Sequence, residues 1–579
     1  MAFQLSPGIE VKEIDLTNVV PAVGTTEAAV AGIFRWGPVN EPILVTSENE
    51  LVQRFQKPYS NTTWQNHETW FTAANFLSYS DALYVVRVTD SANTASSTNF
   101  DAAYPGTLGN SIRVSYCDAD SFSAIEGGET LNISASSNTG VITANNVSFV
   151  AGDVLIVEDQ ELRVNSLTVN GANTNVTFDT KYISVSAYSN TTWQHRWGYA
   201  NLFDSAPDTD ELHIVVVDEG GEFSSEEKTV LEVYDSVSTV AGARKADGSS
   251  NNWKTVLENK SSYVRGGSSA PTGDGHQDLT GGTDGQGETS ASLGVLAAGY
   301  DLFRSSENID VSLIIGGHPQ STTLSNYIID NVAEYRRDAV AFITPAIASA
   351  SSYTAQDLVT AVTSLSSSSY VVVDSGYKYQ YDKYSDIYRW IPLNGDIAGV
   401  CARTDEVSDP WFSPAGLTRG QIKNVVKLAL NPNKSERDLI YKNGINPVIT
   451  QSGQGTILYG DKTFLSKPSA FDRINVRRLF IALQKSISIS AKSILFEFND
   501  EFTQAQFRNL VEPFLRDIQG RRGIFNYKVI CDASNNTSEV VDSNRFVADI
   551  YVKPSRSINF IQLNFIATRT GVEFSEIVG

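Results

Sequence analysis

Two apolar periods alternate along this chain, and the switches between them divide it. TEAAVAGIF at 26 to 34 is a continuous apolar run that predicts a buried strand. Helical spacing follows over about 47 to 56 and about 64 to 79, before the apolar run ALYVVRV at 82 to 88. That strand, helix, helix, strand order begins an α/β unit. From about 91 the pattern shortens to strands separated by Asn-Gly, Gly-Gly and Asn-Thr turns, ending near 196, which predicts an all-β insertion, a small barrel or a sandwich. Over about 200 to 264 the sequence predicts the strand LHIVVVDE and a helix around 225 to 238. Residues 266 to 292 hold eight glycines among Ser, Thr and Asp, the composition of a surface loop or linker. After 290 helix and strand alternate again, with VSLIIGG, AVAFITP and SSYVVVDS as buried strands. The 24-to-88 segment completes this second α/β stretch, giving a discontinuous core with the β-rich parts inserted into it.

The C-terminal third reads as α+β. Residues 472 to 496 fit a helix with Val476, Leu479, Phe480, Leu483, Ile487 and Ile494 on one side. Arg473, Arg477, Arg478, Lys485 and Lys492 cluster opposite, as a face for an acidic partner or as a solvated stripe. A second amphipathic helix covers 500 to 519, with Phe507, Leu510, Val511, Phe514 and Ile518 on one face and Pro513 as a kink or early position. Strands are expected at roughly 524 to 531, 545 to 553 and 558 to 567. Two half-apolar strands stand at the ends of the sequence, residues 3 to 14 with Ile9, Val11 and Ile14, and residues 571 to 578 with Val572 and Phe574. Lone strands expose backbone donors and acceptors, so they either pair within one chain or exchange between copies.

Composition narrows the partners. The 579 residues correspond to about four domains, and the expected units are 1–23 plus 425–579, 24–90 plus 286–424, 91–111 plus 197–285, and 112–196. With 44 Lys+Arg against 66 Asp+Glu the net charge is -22, which disfavours nucleic acid or anionic membranes as direct partners. The charge is uneven: residues 201 to 235 hold eleven acids and one Lys, whereas 462 to 528 hold twelve Lys+Arg and six acids. Three cysteines without a CxxC pair predict reduced structural thiols, and neither an export signal nor a membrane-spanning run is read.

Candidate chemistry is sparse. Gly455-Thr-Ile-Leu-Tyr-Gly460-Asp461-Lys462-Thr463 nearly matches a phosphate-binding loop, but Asp461 breaks the spacing and puts a carboxylate where phosphates would lie. The five histidines show no metal-ligand spacing, and the segment from Gly273 to Asp278 lacks the ligand set of an EF-hand. The tyrosines at 377, 379, 381, 384 and 388 suit a half-buried strand face or an interface. A paired-carboxylate glycosidase arrangement stays open, as do an NTP-binding motor and a secreted β-rich adhesin. The heptapeptide YSNTTWQ occurs at 59 to 65 and at 188 to 194 with unrelated flanks. No catalytic residue, metal or cofactor is assigned.

An ordered set of motifs resembles the contractile-tail sheath proteins, most closely those of T4-type myoviruses. It comprises Ser6-Pro-Gly-Ile-Glu-Val-Lys-Glu-Ile-Asp15, Tyr104-Pro-Gly-Thr-Leu-Gly-Asn110, Val215-Val-Val-Asp-Glu-Gly220, Leu279-Thr-Gly-Gly-Thr-Asp284, Cys401-Ala-Arg-Thr-Asp405, Pro410-Trp-Phe-Ser-Pro-Ala-Gly416, Asn446-Pro447, Asp472-Arg-Ile-Asn-Val-Arg-Arg-Leu479 and Asn535-Asn-Thr537. The resemblance is densest from 390 onward and weakest over 112 to 196. It implies a non-enzymatic structural subunit of the virion, assembled in the host cytoplasm, that stacks as six-fold helical rings around a tail tube and contracts to drive the tube through the host envelope. The implied partners are further copies of the chain, the tail tube protein, and baseplate and tail-terminator proteins. Terminal strands exchange between neighbours in that family, which implies this role for Ile9, Val11, Ile14, Val572 and Phe574. Arg473, Arg477, Lys485 and Lys492 are the expected tube-facing cations.

Overall fold

The computed structural model describes residues 24–158, 160–179 and 187–559. Its central sheet has seven strands in the order Pro42–Val45, Leu83–Val88, Ala28–Ile33, Leu313–Ile315, Val340–Ile343, Val371–Asp374 and Ile445–Asn446. All neighbours are parallel except the antiparallel edge pair 42–45 and 83–88. Strands covered on both faces read as unbroken apolar runs, and Ala28–Ile33 is buried throughout. Ala28 and Val30 pack toward helices His67–Leu77 and Asn394–Val407, while Ala29 and Ala31 pack toward helix Leu293–Asp301 and the helical stretch 322–336. Segments 24–88 and 313–446 therefore share one sheet, and the chain between them is inserted.

Among the described residues the inserted region holds three antiparallel sheets: the short pair Phe100–Ala102 and Val264–Gly266, a four-stranded sheet and an eight-stranded one. A four-stranded sheet has the order Thr229–Ser238, Glu211–Asp218, Ile112–Cys117, Asp274–Asp278. It corrects two expectations. The helix expected around 225 to 238 is the strand Thr229–Ser238, because its β-branched Thr229, Val230, Val233 and Val237 pair along the apolar strand 211–218. The glycine-rich segment 266 to 292 is more than a linker, since Asp274–Asp278 forms a sheet edge beside Ile112–Cys117. Gly275 is required there: a Cβ would stand 2.8 Å from the Tyr116 hydroxyl. The strand Ile112–Cys117 belongs to this sheet, so the outer insertion starts after it.

The outer insertion is an eight-stranded sheet around a core that includes Leu131, Phe149, Leu155, Val164, Phe178 and Trp193. Buried Asp153 of this sheet meets His276 of the four-stranded one at 2.9 Å. The repeated heptapeptide has two structures. At 59–65 Asn61 Oδ1 accepts from Thr63 N and Trp64 N in a tight turn, whereas at 188–194 the residues feed strands Tyr188–Thr191 and Gln194–Arg196.

The C-terminal unit comprises helix Ile474–Ala491, helix Glu501–Gly520 with Pro513 inside it, and the antiparallel strands Ile524–Ile530 and Asp549–Pro554. The central sheet runs to Ile445–Asn446, past the expected boundary at 424, because Asn446 Nδ2 donates to Val373 O and Lys462 O. The expected strand 558 to 567, from residue 560 on, lies outside the described residues. So do the terminal strands 3 to 14 and 571 to 578.

Candidate assembly interface

Helix Ile474–Ala491 joins the C-terminal unit to the α/β core, and its cations differ from the expected outward stripe. Ile474 and Ile481 belong to the core cluster, while Leu479 and Leu483 pack with Phe507, Val511, Leu515 and Ile518 of the next helix. With apolar neighbours on two sides, the charged face is turned into the protein. Arg478 is buried between the carbonyl of Cys401, 3.0 Å from Nη1, and the carboxylate of Asp405. Arg477 donates to Ser369 Oγ at 2.6 Å and lies over the rings of Tyr370 and Phe471. Burial pushes its guanidinium below its usual range, although nearby Tyr370 and Glu334 oppose this. Lys485 Nζ donates to Ser312 Oγ at 2.7 Å and Val311 O at 3.2 Å and pairs with Asp310. The physical reason is general: buried charges persist where each finds a partner and fixed dipoles. Lys492 is exposed, and Arg473 is turned to Asp461.

Asp461 is the residue that sequence reasoning undervalued. Only 2% exposed, its carboxylate accepts from Ser413 Oγ, Ser557 Oγ, Asn559 Nδ2 and Arg473 Nη1 at 3.0, 2.7, 2.8 and 3.0 Å. Burial alone would raise its pKa, but these hydrogen bonds and the Arg473 charge hold it below the usual carboxylate range. The carboxylate ties Ser557 and Asn559 to the base of helix Ile474–Ala491. The phosphate-loop reading fails on the same ground. Lys462 Nζ donates to the Tyr441 carbonyl at 2.8 Å, and strand Gly455–Leu458 leads into a turn with no helix before Ile474.

A second carboxylate fixes the inserted region. Glu288, 2% exposed, accepts from Glu68 N at 3.0 Å and Thr69 N at 2.9 Å, at the first turn of helix His67–Leu77. Unpaired amides and the helix dipole favour an anion there, so the chain returning from the insertion carries its own.

The remaining candidates are structural. Tyr377 is buried, whereas Tyr379 stacks on Tyr388 and packs at a tilt against Trp390, and Tyr381 packs at a tilt against Tyr388, across the strands Tyr377–Asp382 and Ile387–Pro392. Among the described residues no group of three or more His, Cys, Asp or Glu could hold a metal, and no helix is long and apolar enough to cross a membrane.

The described residues thus form a mixed α/β chain with sheet-rich insertions and ion-paired helices. Two family models match it: the phage tail sheath protein central domain over residues 310–464, and the phage tail sheath C-terminal domain over residues 466–568. The chain belongs to the phage tail sheath proteins. It is 34% identical to the tail sheath protein of Vibrio phage KVP40, over 99% of this chain and 100% of that one. Against the tail sheath protein of Enterobacteria phage T4 the identity is 33%, over 99% of each chain. The crystal structure of a sheath tail protein from Listeria innocua shares the fold, with a TM-score of 0.51 at 11% identity over 92% of this chain and 96% of that one. The chain is thus a structural subunit of a contractile tail sheath, and neither the NTP-binding motor nor the secreted adhesin or glycosidase reading is supported.

Proposed function

We propose that this subunit polymerises as helically stacked six-fold rings around a tail tube, with the C-terminal unit as the assembly module. The terminal segments, residues 3 to 14 and 571 to 578, exchange between neighbours as added strands, with Ile9, Val11, Ile14, Val572 and Phe574 as their packing side chains. The observation that supports this most is the anchoring of residues 557–559 on Asp461: the root of the C-terminal segment is rigidly held, so tension along that segment is transmitted to helix Ile474–Ala491 and the core. A single backbone hydrogen bond contributes only about 1 kcal/mol net. Several per link, repeated around and between rings, give a cooperative lattice.

Contraction in this reading needs no catalytic residue and no cofactor. The extended lattice is kinetically trapped, and each subunit rotates as a body about its terminal links into a lower-energy packing. The buried pair of Arg478 with Asp405, and buried Lys485 reaching Asp310 and Ser312, favour rotation of core and C-terminal unit together. Of the four cations expected at the tube, Lys492 is the one free to reach it; Arg473, Arg477 and Lys485 are engaged internally. Baseplate and tail-terminator proteins cap the polymer, assembly occurs in the host cytoplasm, and contraction drives the tube through the host envelope.

Deleting residues 1–14 or 571–579 should leave a folded monomer that forms no tubes by electron microscopy. Tubes of normal length from both truncations would rule out strand exchange.

A further inference from the structure

Several large apolar side chains of the C-terminal unit stand exposed among the described residues. Leu495, Phe496, Phe498 and Phe502 are 62, 105, 86 and 76% exposed, where helix Ile474–Ala491 gives way to helix Glu501–Gly520. Single exposed apolar residues are ordinary, but a contiguous cluster marks a contact surface. The backbone holds Phe496 at φ 73, a left-handed conformation that a bulky residue rarely adopts, although its ring is fully exposed among the described residues. Exposed Glu497, Asp500 and Glu501 flank the cluster.

The far end of the same unit is its counterpart. Helix Glu501–Gly520 has 20 residues, which at 1.5 Å each separates its ends by roughly 30 Å. Beyond its C-terminus Phe525, Tyr551 and Ile558 are 69, 59 and 83% exposed, and exposed Arg516, Arg522 and Lys553 surround them. Acids outnumber bases around the first cluster, where exposed Lys492 and Arg545 also lie, and bases outnumber acids around the second, where exposed Asp517 also lies. Two copies meeting acid to acid would repel, whereas acid to base attracts, so the surfaces suit a head-to-tail contact that closes into a ring or propagates as a helix.

We infer that the Phe496, Phe498 and Phe502 knob of one copy seats against Phe525 and Tyr551 of a second copy, with Glu497 and Glu501 facing Arg522 and Lys553. The inference rests on the sheath reading only in that copies polymerise, and the contact is separate from terminal strand exchange.

A charge swap in the full-length protein tests it. Glu497→Lys with Glu501→Lys makes both ends basic; Arg522→Glu with Lys553→Glu makes both acidic. Each variant alone should melt like the wild type, yet show a critical concentration for polymerisation raised about tenfold or more. An equimolar mixture should recover polymerisation, because opposite ends again match. Phe496→Ser with Phe498→Ser should fail alone and should not be recovered by mixing with either charge variant. Normal polymerisation of each charge variant alone, or no recovery in the mixture, overturns the contact. So does normal polymerisation of the serine variant with loss only of binding to tail tubes, which would assign the knob to the tube. A wild-type chain that never polymerises would instead strike at the sheath reading.

Discussion

The α/β core and the C-terminal unit bury their apolar surface to different degrees. All six residues of Ala28–Ile33 are buried, and the strands beside it are covered on both faces by helices. Among the described residues the strands Ile524–Ile530 and Asp549–Pro554 pair with each other, leave Phe525 and Tyr551 exposed, and follow a segment with three exposed phenylalanines. The core is covered within one subunit, and the exposed apolar side chains of the C-terminal unit fit the proposal that neighbouring copies cover them.

Truncation in the core should have the largest effect. Phe342→Ala opens a cavity in the central sheet and should cost about 3–5 kcal/mol in chemical denaturation, whereas Phe498→Ala should leave monomer stability within about 0.5 kcal/mol. Equal effects would remove the distinction. Arg478→Met leaves Asp405 buried and unpaired and should cost a similar ~3–5 kcal/mol, with much of it regained in the double variant with Asp405→Leu. That cycle measures how firmly the C-terminal unit is held to the core.

Asp461→Asn should cost about 1–3 kcal/mol, since it removes a charged acceptor from several buried donors. The sign with pH follows from its depressed pKa: the carboxylate contributes fully above the ordinary Asp range near 4, and the contribution is lost as pH falls through the lower folded value. Denaturation at pH 7 and pH 3 should therefore show a smaller difference in the variant than in the wild type. The smallest effect is expected from Lys492→Glu, which should leave stability unchanged and weaken only co-assembly with tubes. Unchanged tube yield would exclude Lys492 from that contact.

Much of this contrast was legible in the sequence. Strands such as AVAFITP and VSLIIGG are apolar at every position because both faces are covered, and that pattern needs no tertiary knowledge. The segment 225–238 misled because its register is set by pairing with strand Glu211–Asp218, a partner its own periodicity does not reveal. On helix Ile474–Ala491 the charged side looked like a surface, since a helical wheel assumes one core; here there are two, and Arg477, Arg478 and Lys485 find partners at Ser369, Asp405 and Ser312, far away in sequence. Glu288 and Asp461 were invisible for the same reason: a buried carboxylate is recognised by the donors that converge on it, and those come from distant segments.

The central claim is most directly tested by electron microscopy of the purified wild-type chain with and without tail tube protein. The account predicts six-fold tubes of stacked rings that lengthen to match the tube when it is present. Isolated monomers at all concentrations, with tube protein added, would contradict it.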